Sequence, residues 1–233
     1  MVAKHINKGG VFMILLIGGE KGGTGKSMAA VNIAVAMCHK KKEVVLIDAD
    51  KQPTTSNWAA HRVQDESLPR IICVQKTGKD LHQTIQAVAE KYANVIIDVG
   101  GRDTPELRSA LLVADVMFSP ISPAQFDAET IPKLEELIGM AKTVNSSLKT
   151  YAFISRANPA TSEKNELIEL FEEIGTEHLR LADSVISDYV AYRKASRYGR
   201  GIIEHTVKRE KERGEKELLA LYKEIVGVAD GKK

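Results

Sequence analysis

Short apolar runs alternate with longer amphipathic stretches along most of the chain. The runs Val11–Ile17, Val44–Ile47, Ile71–Val74, Val95–Ile97, Val116–Phe118 and Tyr151–Ile154 are rich in β-branched residues and mostly continuous. Strands that are apolar on both faces are the habit of a covered, parallel sheet. Between them, Lys26–Lys40, Ser56–Val63, Leu81–Tyr92, Pro105–Val113, Ile131–Thr143 and Glu163–Ile174 carry apolar residues at helical spacing. The alternation predicts βαβ units with right-handed crossovers. It gives a single α/β domain, a mostly parallel sheet flanked by helices on both faces. No internal repeat, low-complexity segment or Ser/Gly linker divides it.

From about Asp183 the pattern changes. DSVISDYVAYRKASRYGRG is aromatic and basic, and HTVKREKERGEKELLALYKEIV reads as a charged helix. Its apolar stripe runs through Leu218, Leu221, Tyr222 and Ile225. Gly214 inside it is a point for a kink or break. The last residues, 229–233, are expected to fray.

Composition narrows the class. With 43% hydrophobic and 27% charged residues in 233, the chain has the apolar material for a sizeable core and is not a disordered tail. Lys plus Arg, 33, nearly balances Asp plus Glu, 31, so any basic patch has to be local. The two cysteines, Cys38 and Cys73, fit neither a disulfide framework nor a metal knuckle, which points to the cytoplasm. The start, basic and then apolar, superficially resembles a signal peptide. Its apolar run is seven residues, too short to span a bilayer, and leads into a glycine-rich loop that cleavage would destroy. A buried first strand fits better. Met13 is an alternative start, which would make 1–12 an extension, 13–228 the domain and 229–233 a tail.

The strongest chemical signal is GGEKGGTGKS, Gly18 to Ser27, directly after an apolar strand and before an amphipathic helix. Backbone N–H groups from such a turn, at a helix N-terminus, suit the charge of a nucleoside triphosphate. Gly22, Gly23 and Gly25 permit conformations and approaches that a Cβ would block, with Thr24 between them. Lys26 stands where it reaches the β- and γ-phosphates, and the Ser27 hydroxyl where it reaches Mg²⁺. The standard G-x-x-x-x-G-K-[ST] pattern fails at one place, Glu20, and a second lysine, Lys21, stands at the mouth. This arrangement resembles the deviant Walker A motif of the ParA/MinD family of P-loop ATPases. The resemblance implies that Lys21 contacts the partner's nucleotide across a homodimer formed in the ATP state. Met28 departs from relatives with a second Thr, but its backbone N–H remains available to phosphate.

Three further segments carry chemistry. VVLIDADKQPTTSNW puts Asp48 and Asp50 at the end of a strand, where ligand sites of parallel sheets form. Strand-end turn chemistry is the plainer reading of such aspartates. The segment resembles the family's Asp-x-Asp-Pro-Gln, with Lys51 in place of the Pro and Pro53 after Gln52. The resemblance implies that Asp50 orients the attacking water and Asp48 supports the Mg²⁺ shell. NVIIDVGGRDTPE ends a strand at Asp98, a Walker B carboxylate for Mg²⁺, and Gly100–Gly101 suits a switch loop. Arg102 and Asp103 are open to two readings, switch residues or solvated loop charges. FSPISPAQFD resembles the family's Pro-rich base segment, in which Pro120 and Pro123 would wall the adenine; ordinary loop punctuation is the other reading. An aspartate is a poor general base, so slow, switch-like turnover is expected.

Arg193 to Arg213 holds eight basic residues against Glu204, Glu210 and Glu212, with Tyr189 and Tyr192 just before it and Tyr198 within it. Arg193, Lys194, Arg197 and Arg200, with no acid between them in sequence, are the candidates for non-specific DNA binding. Lys208 to Arg213 reads better as a solvated face with i,i+4 pairs, Glu204–Lys208 among them. Nearly the whole chain resembles the small ParA-type ATPases of plasmid partition, the ParF-like group. That implies an ATP- and Mg²⁺-dependent, nucleoid-associated dimer stimulated by a ParB-like centromere-binding protein. The rivals are a sister ATPase that positions a protein cargo and a MinD-like membrane ATPase. Against the latter stand Glu215, Glu217 and Glu224 in the last helix, so no stable membrane association is expected.

Overall fold

The computed structural model describes residues 13–123 and 130–232. Residues 1–12, including the expected strand start at Val11, and Ala124–Asp127 of the Pro-rich segment lie outside the described residues. Seven strands form one parallel sheet: β1 Met13–Gly19, β2 Val45–Ala49, β3 Ile72–Gln75, β4 Asn94–Gly101, β5 Val116–Ile121, β6 Lys149–Ala157 and β7 Arg180–Ser187. Their order is β3-β2-β4-β1-β5-β6-β7. From β1 the chain runs out to β2 and β3, returns to place β4 between β2 and β1, and then builds β5, β6 and β7 on the other side. That reversal opens a crevice at the carboxyl ends of the central strands, where α/β proteins bind ligands.

Eight helices are described: α1 Lys26–His39, α2 Thr54–Arg62, α3 Leu81–Ala89, α4 Pro105–Leu111, α5 Thr130–Lys142, α6 Glu163–Ile174, α7 Val190–Ser196 and α8 Lys208–Ala229. A 3₁₀ turn, Ile202–Glu204, precedes α8. Alternate residues of each strand feed two separate cores, because a strand's side chains point to opposite faces in turn. Leu15 and Ile17 of β1 join α1, α2, α7 and α8 on one face, whereas Leu16 joins α3 to α6 on the other.

The six expected strands and six expected helices are all present, with ends shifted by up to a few residues. β4 and β5 run longer than their apolar runs. Pro120 lies inside β5, opposite Phe153 of β6 and beyond the last pair with β1, Ile17–Phe118. Two elements, β7 and α7, had no clear signal. β7 breaks the apolar pattern with Asp183 and Ser184, because it is an edge strand facing α8. Glu224 of α8 accepts from the Asp183 and Ser184 N–H groups at 3.0 Å, and Glu217 accepts from Ser187 N–H at 2.8 Å. These carboxylates satisfy donors that a bare sheet edge would leave open to aggregation. Glu217 and Glu224 are therefore engaged by β7, and the apolar stripe of α8 is buried.

Gly214 neither kinks nor breaks α8, which continues through it. The glycine is there for close packing: a Cβ would stand 2.9 Å from Ile202 Cγ1, and the Tyr192 hydroxyl donates to the Gly214 carbonyl at 2.9 Å. At the end of α8, Gly231 adopts a left-handed φ of 71°, and the Lys232 N–H donates to the Gly227 carbonyl, closing the helix.

Candidate active site

The loop from Glu20 to Gly25 joins β1 to α1 at the switch point of the sheet. Gly25 caps α1 with φ 98°, a left-handed value that favours glycine, and no side chain caps the helix. No acid stands in its first turn either, so the N–H groups there are open to an anion. Gly23 is also left-handed, whereas Gly22 has open space where a Cβ would go. Thr24 is buried. Lys26 is buried and its ammonium donates to the Lys21 carbonyl. Burial pushes its pKa down, opposed by the nearby charges of Asp98, Asp50 and Glu20.

Two carboxylates face this loop from adjacent strands. Asp48 of β2 and Asp98 of β4 are register partners, both buried. Asp48 is satisfied on both oxygens, accepting from Asp50 N–H at 3.2 Å and Ser56 N–H at 2.7 Å. Asp98 is not. Its Oδ2 accepts from the Thr55 hydroxyl at 2.6 Å, while its Oδ1 has no hydrogen-bond partner among the described residues. Burial pushes its carboxyl up to about 7, with Asp48 adding to the shift and Thr55, Ser27 and Lys26 opposing it.

An orphaned, buried carboxylate oxygen calls for a counterpart. Mg²⁺ is commonly held by one or two carboxylates together with substrate phosphates and water. The donor set fits that ion: Asp98 supplies open lone pairs, and Asp48 and the Ser27 hydroxyl are the other groups that can hold it.

Asp50 stands just past β2, half-buried, with Oδ1 accepting from Gln52 N–H at 2.9 Å. The Lys51–Pro53 insertion leads into α2, with Pro53 at its N-cap. The end of β4 grips the phosphate loop. A Cβ at Gly101 would lie 2.5 Å from the Gly22 backbone nitrogen, and Arg102 N–H donates to the Glu20 carbonyl at 2.6 Å. A Cβ at Gly100 would stand 3.1 Å from the Asp50 carboxylate. Asp103 pairs with Arg108 at the surface. The expected adenine wall is only partly in view. Pro120 is buried within β5 and is not a free wall, and Pro123 is half-buried just beyond that strand.

Two residues join the site without having stood out in the sequence. One is Thr55, at the start of α2, whose hydroxyl donates to Asp98. Arg156, at the end of β6, adopts φ 58° and donates to the Gly23 carbonyl at 2.7 Å. Such a conformation in a non-glycine residue is characteristic of functional sites. A cavity of about 490 Å³ opens beside the loop, lined by Ser27, Met28, Trp58, Arg156, Asp188 and Tyr192.

The basic candidates lie on and after α7. Acids absent from their stretch of sequence meet three of them in space. Arg193 pairs with Asp188 at 2.9 Å, Lys194 with Glu210 at 2.8 Å and Arg200 with Asp65 at 2.7 Å. Arg197 is exposed and has no ion pair among the described residues. Lys194, Arg197 and Arg200 line one cleft of about 740 Å³ with His61 and His205. The expected Glu204–Lys208 pair does not form. Glu204 precedes α8 and is buried against Arg62, which reaches both its oxygens at 2.8 Å. The surface pair Lys211–Glu215 does form, at 3.7 Å.

Residues 15–202, most of the chain, match the model of the CobQ/CobB/MinD/ParA nucleotide-binding domain. The chain belongs to this family. Among its relatives is the maintenance of carboxysome distribution protein A of Gloeobacter kilaueensis, 26% identical over 185 residues, 79% of this chain and 81% of that protein. Two solved structures share the fold. The septum site-determining protein MinD of Pyrococcus horikoshii, complexed with Mg-ADP, aligns with a TM-score of 0.72 at 15% identity, covering 95% of this chain and 98% of that one. A plasmid partition protein of Borrelia burgdorferi aligns with 0.59 at 18% identity, covering 81% and 96%. The matched residues of this ParA/MinD-family chain include β1 from Leu15 onward, the phosphate loop, β2 to β7 and the basic segment up to the start of the 3₁₀ turn. No described helix is long and apolar enough to cross a membrane.

Proposed function

We propose that this chain is an ATP-hydrolysing switch that segregates DNA, with plasmid partition as its setting. The observation that carries the ATPase half is the open Asp98 oxygen beside a phosphate loop whose helix has no side-chain cap. In this reading the N–H groups of Gly22 to Met28 cradle the phosphates. Lys26 leaves the Lys21 carbonyl for the β- and γ-phosphates, and Ser27, Asp48 and Asp98 hold Mg²⁺. Bound there, the metal neutralises charge on the phosphate oxygens. Asp50 orients the attacking water, and Gly100 leaves its carboxylate room. Lys21 of each protomer reaches the partner's nucleotide, so the ATP state is a homodimer. Pro123 borders the adenine.

The DNA half rests on Arg193, Lys194, Arg197 and Arg200. Exposed ion pairs are individually weak, so phosphates can displace the carboxylates from Arg193 and Lys194. Dimerisation doubles the surface, and a ParB-like partner ends the DNA-bound state by stimulating hydrolysis. The carboxysome-distribution relative favours a second reading, in which the same switch positions a protein cargo.

Binding to random-sequence duplex DNA with ATP, with ADP and without nucleotide tests the proposal. ATP-dependent binding is expected, and with six or more phosphate contacts per dimer it weakens roughly 10³-fold between 50 and 200 mM salt. DNA binding that is absent while ATP binding is intact would overturn the DNA half and leave the cargo reading.

A further inference from the structure

We propose that Thr55 is a positioning residue for the metal site. Its hydroxyl holds one oxygen of Asp98 so that the other stays open to the divalent cation that accompanies the nucleotide. The proposal rests on the reading of Asp98 as a cation ligand.

The geometry is local and buried. Thr55 is fully buried and donates to Asp98 Oδ2 at 2.6 Å. Sheet register fixes the Asp98 backbone opposite Asp48, so rotation of the side chain is the main freedom left to its carboxylate. The Thr55 hydroxyl removes that freedom and occupies one oxygen. Oδ1 is left without a hydrogen-bond partner among the described residues. Without the hydroxyl, the carboxylate is free to turn both oxygens toward the Lys26 ammonium, an opposing charge that acts on it.

Thr55 can impose this because α2 is itself held at both ends. At its start, Ser56 N–H donates to Asp48 at 2.7 Å. Further along, Trp58 Nε1 donates to the Arg200 carbonyl at 3.2 Å. At its end, Arg62 grips Glu204 at 2.8 Å and donates to the carbonyls of Gly199 and Pro69 at 2.9 and 2.8 Å. Groups that orient a metal ligand without touching the metal are most effective on a rigid element of this kind.

Mn²⁺ binding to the ADP-loaded protein, read from the free-ion electron paramagnetic resonance signal, tests the assignment. Thr55→Val should weaken Mn²⁺ roughly 10-fold or more, the usual cost of losing an orienting partner, and Thr55→Ser should restore it to within about twofold. ADP binding without divalent ion should be equal in all three. If the valine variant does not fold, Thr55→Ala gives the same reading. Wild-type Mn²⁺ affinity in the valine or alanine variant would overturn the role of Thr55 alone. No Mn²⁺ binding by the wild-type protein with ADP would overturn the cation-site reading and Thr55 with it.

Discussion

Asp98 lies within β4 as an acid held out of water, and burial pushes its carboxyl up to about 7 from 3.8. The folded protein therefore keeps a proton that the unfolded chain releases. Without ligands, this group lowers stability as pH rises from about 4 to about 7, after which the loss levels off. Asp98→Asn removes the ionisation. The nucleotide-free variant should melt above wild type at pH 8, by about 2–4 °C for each kcal/mol relieved, and the gap should close near pH 4. Equal melting temperatures at pH 8 in scanning fluorimetry would contradict the assigned burial. Gly101 makes a different kind of prediction. Its missing Cβ lets β4 touch the phosphate-loop backbone, which has no flexible side chain to move aside. Gly101→Ala should fold, with a native circular dichroism spectrum, yet lose ATP binding at least about 10-fold as the loop is displaced. The carboxylates and lysines of this site were legible because type and spacing mark them. Thr55 and Arg156 were not, because their roles depend on contacts with Asp98 and Gly23 that are distant in sequence.

At the scale of elements, continuous apolar runs marked β1 to β6, and helical spacing marked α1 to α6. The edge strand β7 escaped, since it shares its outer donors with glutamates of α8 instead of another strand. Long-range packing also decides α8. Its glutamates meet β7 only in the folded chain, and Gly214 looked like a break until Ile202 was placed against it. Gly214→Ala follows from that contact. The substitution gains roughly 1 kcal/mol in helix propensity. It also drives a methyl to 2.9 Å from a fully buried isoleucine, and overpacking of that kind costs about 1–3 kcal/mol. Ile202 is enclosed and cannot swing away, so a net loss of stability is expected in urea unfolding. A midpoint at or above wild type would show that the contact relaxes freely.

Across the whole molecule, one short helix joins the two surfaces that a switch requires. The start of α2 bonds Asp48 and Asp98 beside the phosphate loop, and its Trp58 and Arg62 hold the backbone of Gly199 and Arg200 in the basic segment. Neither half of this link was visible in the sequence, where Thr55 and Asp98 lie 43 residues apart and Trp58 and Arg200 lie 142 apart. What the sequence did carry to this scale was Lys21, which in the proposed function reaches the partner's nucleotide, so that the site is complete only in a dimer. The molar mass by light scattering, with ATP, with ADP and without nucleotide, tests that claim most directly. Wild-type protein should double its mass with ATP alone, and Lys21→Ala should remain at the mass of one chain while still binding ATP. A wild-type mass that ignores the nucleotide, or a Lys21→Ala variant that doubles as wild type does, would contradict the account.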